Sequence, residues 1–264
     1  MKYDGRIILA AHRGDKKRYP ENTMPAFEAA VRQGVDMIET DIRLTRDGEL
    51  VIIHDASTLR TTGEDINVNN STYSKLRKLD TGAIFSPEFA GTRIPRVEEL
   101  IELISDTDTQ INWELKDYPA VVGDELSFAL ADKLIALIHK HGLTERSMIN
   151  SFSDRQLEYV VKKYDGEFTI HGQGIGACAR SKDEAEIARE ELYDWCCLYP
   201  NEKGATPLDY PENFKYCTEH GILPCVCVPD VLETYEKYID LGCRMFTSND
   251  IVRADEILKR LGKR

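Results

Sequence analysis

Glu39, Asp41 and His54 are spaced so that they could do chemistry together. The stretch from Ile42 to Ile53 reads as two extended segments pivoting on Asp47-Gly48. An Asp-Gly pair between β-rich runs is a strong hairpin signal. A turn centred there pairs position 41 with position 54 and sets His54 beside Asp41. Side chains alternate along a strand, so Glu39 points the same way as Asp41. His12 and Arg13 end one apolar run, and Glu114 and Lys116 end another. Three carboxylates brought face to face repel and raise one another's pKa unless a cation sits between them. Oxygen donors without thiol partners favour a hard ion, Mg2+ or Ca2+, over zinc. Two histidines beside such an ion can serve as general base and general acid. Arg13 can grip a phosphate oxygen with its planar fork, and Lys116 adds a point charge. Together these groups suit phosphoryl transfer assisted by a Lewis acid.

These side chains need a scaffold that brings several strand ends together. Short β-rich runs at 7–11, 37–44, 110–115, 147–151, 168–171, 194–198, 222–226 and 244–247 alternate with amphipathic stretches. The stretches fall at 23–33, 97–105, 124–141, 153–164, 181–191, 211–220, 230–241 and 251–261. Thr23, Ser153 and Asp230 stand where N-caps belong, and Gly34, Gly142, Gly221 and Gly242 where helices stop. Strand–helix alternation over this length predicts an α/β fold, a (β/α)8 TIM barrel, as one domain over 1–264. The run 50–54 becomes an extra ribbon on the second strand. Residues 56–94, with clusters of Thr, Asn, Gly and Ser and one short helical pattern at 74–79, read as a small insertion. It is expected over the C-terminal face, where this fold builds active sites.

The chain has 264 residues and a formal charge of −12, which argues against nucleic acid or an anionic membrane as a partner of the whole surface. A bound cation and local Arg and Lys can still reverse the field inside one cleft. No apolar run reaches membrane-helix length, so no stable membrane insertion is expected. Residues 7–11 are too short for a signal peptide, and a cytoplasmic location is expected. Seven cysteines, several inside apparent strands, suit reduced thiols better than a disulfide framework. A zinc site from Cys196-Cys197 and Cys225–Cys227 is weighed against buried core thiols, and the core reading is preferred.

The ordered set His12-Arg13-Gly14, Pro20-Glu21-Asn22-Thr23, Glu39-x-Asp41, Thr45-x-Asp47-Gly48 and His54-Asp55 resembles the glycerophosphodiester phosphodiesterase family. Thr62-Gly63, Leu79-Asp80-x-Gly82, Phe89-x-Gly91, Ile94-Pro95 and Glu114-Leu115-Lys116 continue the same pattern, and Ser151-Phe152 fits it more loosely. The resemblance implies metal-dependent hydrolysis of a small glycerophosphodiester to glycerol 3-phosphate and an alcohol. By the same resemblance His12 and His54 are the acid/base pair and Arg13 a catalytic, phosphate-contacting group. Lys116 is a further phosphate ligand, and Glu39, Asp41 and Glu114 bind one Mg2+ or Ca2+. Towards the C-terminus the pattern lapses. Cys225-Val226-Cys227-Val228 stands where a Trp motif is usual, and Thr247-Ser248-Asn249-Asp250 where a Thr-Asp motif closes the barrel.

Blander roles suit several other groups. Glu21 reads as support for the first loop. His139, His141 and His220 end helices, where cationic side chains meet the dipole. His171, at the end of the fifth strand, reads as structural in preference to lining the pocket, and Lys16-Lys17-Arg18 either steers anions or is simply solvated. Tyr19 and Trp195 are candidates for stacking on a choline head group. Two rival functions stay in view: a phospholipase-like phosphodiesterase acting on lysophospholipids or phosphoinositides, and a noncatalytic phosphate-binding barrel.

Overall fold

The computed structural model describes residues 3–227 and 232–264. The strands are β1 (Ile8–His12), β2 (Met37–Leu44), β3 (Leu50–Ile52), β4 (Gln110–Leu115) and β5 (Ser147–Ser151), then β6 (Thr169–Gly172), β7 (Trp195–Cys197), β8 (Leu223–Cys227) and β9 (Met245–Ser248). The helices that follow barrel strands are α1 (Met24–Gln33), α2 (Val97–Ile104), α3 (Asp124–Lys140), α4 (Asp154–Lys163), α5 (Arg189–Leu192), α6 (Pro211–Glu219), α7 (Leu232–Asp240) and α8 (Ile251–Arg260). All strands but β3 run parallel, in the order β1-β2-β4-β5-β6-β7-β8-β9, and β1 pairs with both β9 and β2. The ring is therefore closed, which is the expected TIM barrel.

All eight residues of β2 are buried, as a strand covered on both faces requires. Alternation then divides them. Ile38 and Ile42 face outward into the main core beneath the helices, with Trp113, Leu115, Ile149 and Phe246. The inward residues form two storeys. Ile8, Met37, Met148, Trp195, Cys225 and Met245 pack an apolar plug inside the barrel. Glu39, Asp41, Asn112, Glu114 and Asn150, further along their strands, are buried polar groups at the C-terminal end.

Three expectations need correction. Thr45 N–H donates to Glu49 O and Gly48 N–H to Thr45 O, so the hairpin loop spans Arg46, Asp47 and Gly48 with Gly48 at φ +83°. A three-residue loop with an αL glycine moves the register by one relative to a two-residue turn. Ile42 faces Ile52, and Asp41 O accepts from Ile53 N–H, so His54 lies one place beyond the expected pairing and outside β3. The helix expected at 181–191 shrinks to α5. Ser181 Oγ donates to Asp183 O, Asp183 accepts from Ser153 Oγ, and Glu158 accepts from the N–H groups of Glu186 and Ile187. Local side-chain bonds of this kind compete with helix formation. Thr23 makes no side-chain cap and donates to Pro20 O instead, whereas Ser153 caps α4 by accepting from Gln156 N–H. Asp230 lies outside the described residues.

Residues between β3 and α2 carry their own small core, with Val68, Leu76, Leu79 and Ile94 packed on Val51 and Ile53 of the hairpin. Tyr19 meets Phe89 of this segment at a ring separation of 5.4 Å.

Candidate active site

Parallel pairing sets Glu39 level with His12 and with Asn112, and Asp41 level with Glu114. One oxygen from each of Glu39, Asp41 and Glu114 lies within 4.8 Å of the other two, and all three residues are buried. Glu39 Oε1 and Asp41 Oδ1 have no hydrogen-bond partner. Burial, then the charges of Asp41 and Glu114, raise Glu39 well above the usual carboxylate range. Burial also pushes Asp41 upward, but Lys116, Arg13 and His54 outweigh it and hold Asp41 well below that range. A buried carboxylate cluster with oxygens that no hydrogen bond satisfies is a donor set that fits one hard divalent cation.

The cations of the site are held by these same acids. Lys116 Nζ lies 2.5 Å from Glu114 Oε1 and 3.5 Å from Asp41 Oδ1. Burial opposes its charge, yet Glu114 and Asp41 hold the ammonium above its ordinary value. Arg13 Nη1 donates to Glu21 at 2.9 Å, and its Nε sits 3.1 Å from Asp41 Oδ2. Glu21 also accepts from Arg60 at 2.7 Å, so it joins the first loop to the segment after β3. Arg13 itself has φ +59°, a left-handed conformation that strains a side-chain-bearing residue. Its N–H donates to Glu39 O at 2.9 Å, which fixes the turn. Gly14 follows at φ +78°, where a Cβ would stand 2.7 Å from Ala26 C, so only glycine fits.

Each histidine of the pair is anchored through Nδ1. His12 Nδ1 is 2.6 Å from Asn249 Oδ1, and His54 Nδ1 is 2.6 Å from Asp55 Oδ1. Nδ1–H donates in each case, which leaves Nε2 as the free nitrogen. His12 Nε2 is 3.8 Å from Glu39 Oε2. Burial, then Arg13 and Lys16, push His12 down to about 3. Burial also lowers His54, while Asp41 and Asp55 pull it back up.

The structure supplies anchors that sequence reasoning passed over. Asn22 Nδ2 donates to Asp41 at 2.7 Å from a residue with φ +57°, and it sits inside the Pro20–Thr23 motif. Arg43 donates to the His54 carbonyl from Nε at 3.0 Å and Nη2 at 2.9 Å, while Nη1 meets Asp117 at 2.6 Å. The inward position of a charged residue in an apolar strand was the available signal. Asn249 lay in the closing Thr-Ser-Asn-Asp motif, but nothing local joined it to His12.

All seven candidate residues meet at one cavity of about 890 Å³: His12, Arg13, Glu39, His54, Glu114 and Lys116 line it, and Asp41 lies buried against Lys116 and Arg13. His171 lines it too, with Nδ1 3.0 Å from Asn112 Nδ2 and Nε2 3.1 Å from Cys225 Sγ. The thiols divide differently from the zinc set weighed and set aside above, and they are free and mostly buried. Cys197 and Cys225 stand within 4.8 Å of each other and of His171. Cys196 faces outward in the main core, with Cys217. Trp195 is buried in the barrel plug and Tyr19 packs on Phe89, and neither is among the residues that line this cavity.

The glycerophosphoryl diester phosphodiesterase family model matches residues 12–196. A glycerophosphodiester phosphodiesterase of Caldanaerobacter subterraneus subsp. tengcongensis is 42% identical over 245 residues, covering 93% of this chain and 95% of that one. A Thermotoga maritima glycerophosphodiester phosphodiesterase structure superposes with TM-score 0.70 at 22% identity, over 97% of this chain and 100% of that one. An Oleispira antarctica phosphodiesterase, solved with the product sn-glycerol-3-phosphate, superposes with TM-score 0.80 at 19% identity, over 96% and 97%. The two structures share the fold; the family match and the extended identity go further. This chain belongs to the glycerophosphoryl diester phosphodiesterase family of enzymes.

Proposed function

We propose that this protein hydrolyses glycerophosphodiesters to glycerol 3-phosphate and an alcohol with His12 and His54 as the acid/base pair. The observation that carries the reading is the pair of imidazoles, each fixed through Nδ1, beside a buried acid cluster with unpartnered oxygens. The Caldanaerobacter relative is a glycerophosphodiester phosphodiesterase, and the product held by the Oleispira protein is the one expected here. A Mg2+ or Ca2+ ion held by Glu39, Asp41 and Glu114 would neutralise charge on the phosphoryl oxygens. Arg13 and Lys116 orient the phosphate from the same wall. The glycerol 2-hydroxyl is the nucleophile: one imidazole takes its proton as the oxygen bonds to phosphorus, and the ester bond to the leaving alcohol breaks. The other imidazole gives that alkoxide a proton. In the second half a water molecule opens the cyclic phosphate, with the proton roles exchanged. Asp55 stabilises an imidazolium better than the neutral Asn249 amide does, so His54 is the donor in the first half and His12 the acceptor. An internal nucleophile gains from proximity. The segment 56–94 forms part of the rim of this single-domain barrel, with Arg60 reaching Asp55 and Glu21.

Purified protein should release glycerol 3-phosphate from glycerophosphodiesters, stop in EDTA and resume with Mg2+ or Ca2+. Full activity in EDTA refutes the cation, and no glycerol 3-phosphate from any diester refutes the hydrolase. A second reading, cleavage of lysophospholipids, draws on Leu59, Ile84 and Phe85 of the rim segment, which are 51%, 56% and 44% exposed. Turnover of lysophospholipid with none of the deacylated diesters would favour it.

A further inference from the structure

The cavity crosses the barrel mouth from the acid cluster to the loops after β5, β6 and β7. There Phe152, Arg180, Lys182, Tyr199 and Asn201 line it. In the closed ring β6 and β7 stand opposite β1 and β2, so this wall faces His12 and the acids. The lining carries five cationic side chains and three carboxylates, although the chain as a whole has a net charge of −12. Three of the cations are already committed: Arg13 to Asp41 and Glu21, Arg43 to Asp117, and Lys116 to Glu114 and Asp41. Among the described residues no carboxylate pairs with the other two, Arg180 and Lys182.

Arg180 is held in a particular way. Its guanidinium carbon lies 5.4 Å from the centre of the Phe152 ring and 5.1 Å from that of Tyr199. Two aromatic faces around one cation are the arrangement that would receive a trimethylammonium head group. Here the protein's own guanidinium fills it, so a choline head group would meet an occupied cage and a like charge. Stacking holds the guanidinium by its faces and leaves its in-plane N–H donors available, and a fork of N–H donors matches phosphate geometry.

We infer that this wall is a subsite for a leaving alcohol that carries a phosphate of its own, with Arg180 and Lys182 as its ligands. The inference rests on the hydrolase reading above for the position of the scissile ester. The reacting phosphate is served by Arg13, Lys116 and the cation that the acid cluster would hold, so the additional pair of cations without a carboxylate partner corresponds to additional negative charge on the substrate. Exposed charges of this kind act with a strength that salt reduces.

The test compares kcat/KM for three diesters that differ in the charge of the leaving alcohol: bis(glycerophospho)glycerol (anionic), glycerophosphoglycerol (neutral) and glycerophosphocholine (cationic). Wild type should favour the anionic over the cationic diester by about tenfold, the size of one or two screened ion pairs, and less in high salt. R180E/K182E should bring that ratio to one or below. A wild-type preference for the choline diester, or an unchanged ratio in the charge-reversed variant, overturns the subsite. The ratio is read within one protein sample, so partial loss of folded protein does not disturb it. Should no diester turn over, the hydrolase reading falls, and calorimetric binding of bis(glycerophospho)glycerol decides the subsite. Binding to wild type at least about tenfold tighter than to R180E/K182E then supports it, and equal affinity overturns it.

Discussion

Replacing Arg43 by Met separates what holds the fold from what positions His54. The guanidinium and Asp117 form a buried pair, with side chains 9% and 0% exposed. The guanidinium also supplies both hydrogen bonds to the His54 carbonyl. Asp117 in turn accepts from Leu44 N–H and Asn69 Nδ2, each at 2.9 Å, and joins the second strand to the rim segment. Breaking one side of a buried pair costs about 3–5 kcal/mol, because the surviving charge is left uncompensated. R43M should therefore lower unfolding free energy by that amount at pH 7, read as the midpoint of urea unfolding with the slope unchanged. The pH dependence has a definite sign. Burial already raises Asp117, and Arg43 is the first group opposing it. Without Arg43 the folded state holds that proton to higher pH than the unfolded chain does, so stability falls as pH rises. The deficit of R43M should shrink as pH is lowered from 7 towards 4. Asp117→Asn removes the charge and keeps an acceptor for Leu44 N–H. R43M/D117N should accordingly recover to within about 1–2 kcal/mol of wild type, a strongly non-additive pair. The double variant should nonetheless remain at least about tenfold down in kcat/KM, because the His54 carbonyl has lost both donors and a small displacement of a reacting group is costly. A loss under about 1 kcal/mol in R43M, or additive losses in the double variant, would refute this account of the pair. Wild-type kcat/KM in a stable double variant would refute the positioning role.

Further expectations concern the site itself. His12→Ala and His54→Ala should each lower kcat by about 10²–10⁴ while circular dichroism and unfolding midpoint stay near wild type, and retained turnover in either rejects that residue's role. Mg2+ or Ca2+ should raise the melting temperature of wild type in a concentration-dependent way, and Glu39→Gln/Asp41→Asn should abolish the shift. An equal shift in that variant places the ion elsewhere. Gly14→Ala should cost more than about 1 kcal/mol in urea unfolding, since an L side chain meets both a left-handed φ and the Ala26 backbone; a neutral effect would show that the turn can relax.

Much of this architecture is legible from local pattern. The spacing of Glu39 and Asp41 needs only the two-residue period of a strand to put both on one face, and the bounds 37–44, 110–115 and 147–151 coincide with β2, β4 and β5. Ser153 caps its helix because capping depends on three or four adjacent residues. The stretch 181–191 was less legible, since its helical pattern lost to acceptors on α4 that no local reading includes.

Residue order and alternation alone determined that acids, imidazoles and cations would ride on strand ends of a closed barrel. Tertiary structure decided how they are held. A three-residue loop rather than a two-residue turn moved His54 one register along, and Arg43 then secured it through the backbone. Asn249 reached His12 only because β9 closes against β1, and Arg180 met Phe152 and Tyr199 only where three successive strand ends converge. The division has one physical cause: periodicity is a property of neighbouring residues, whereas a partner that arrives through ring closure is fixed by the packing of the whole chain.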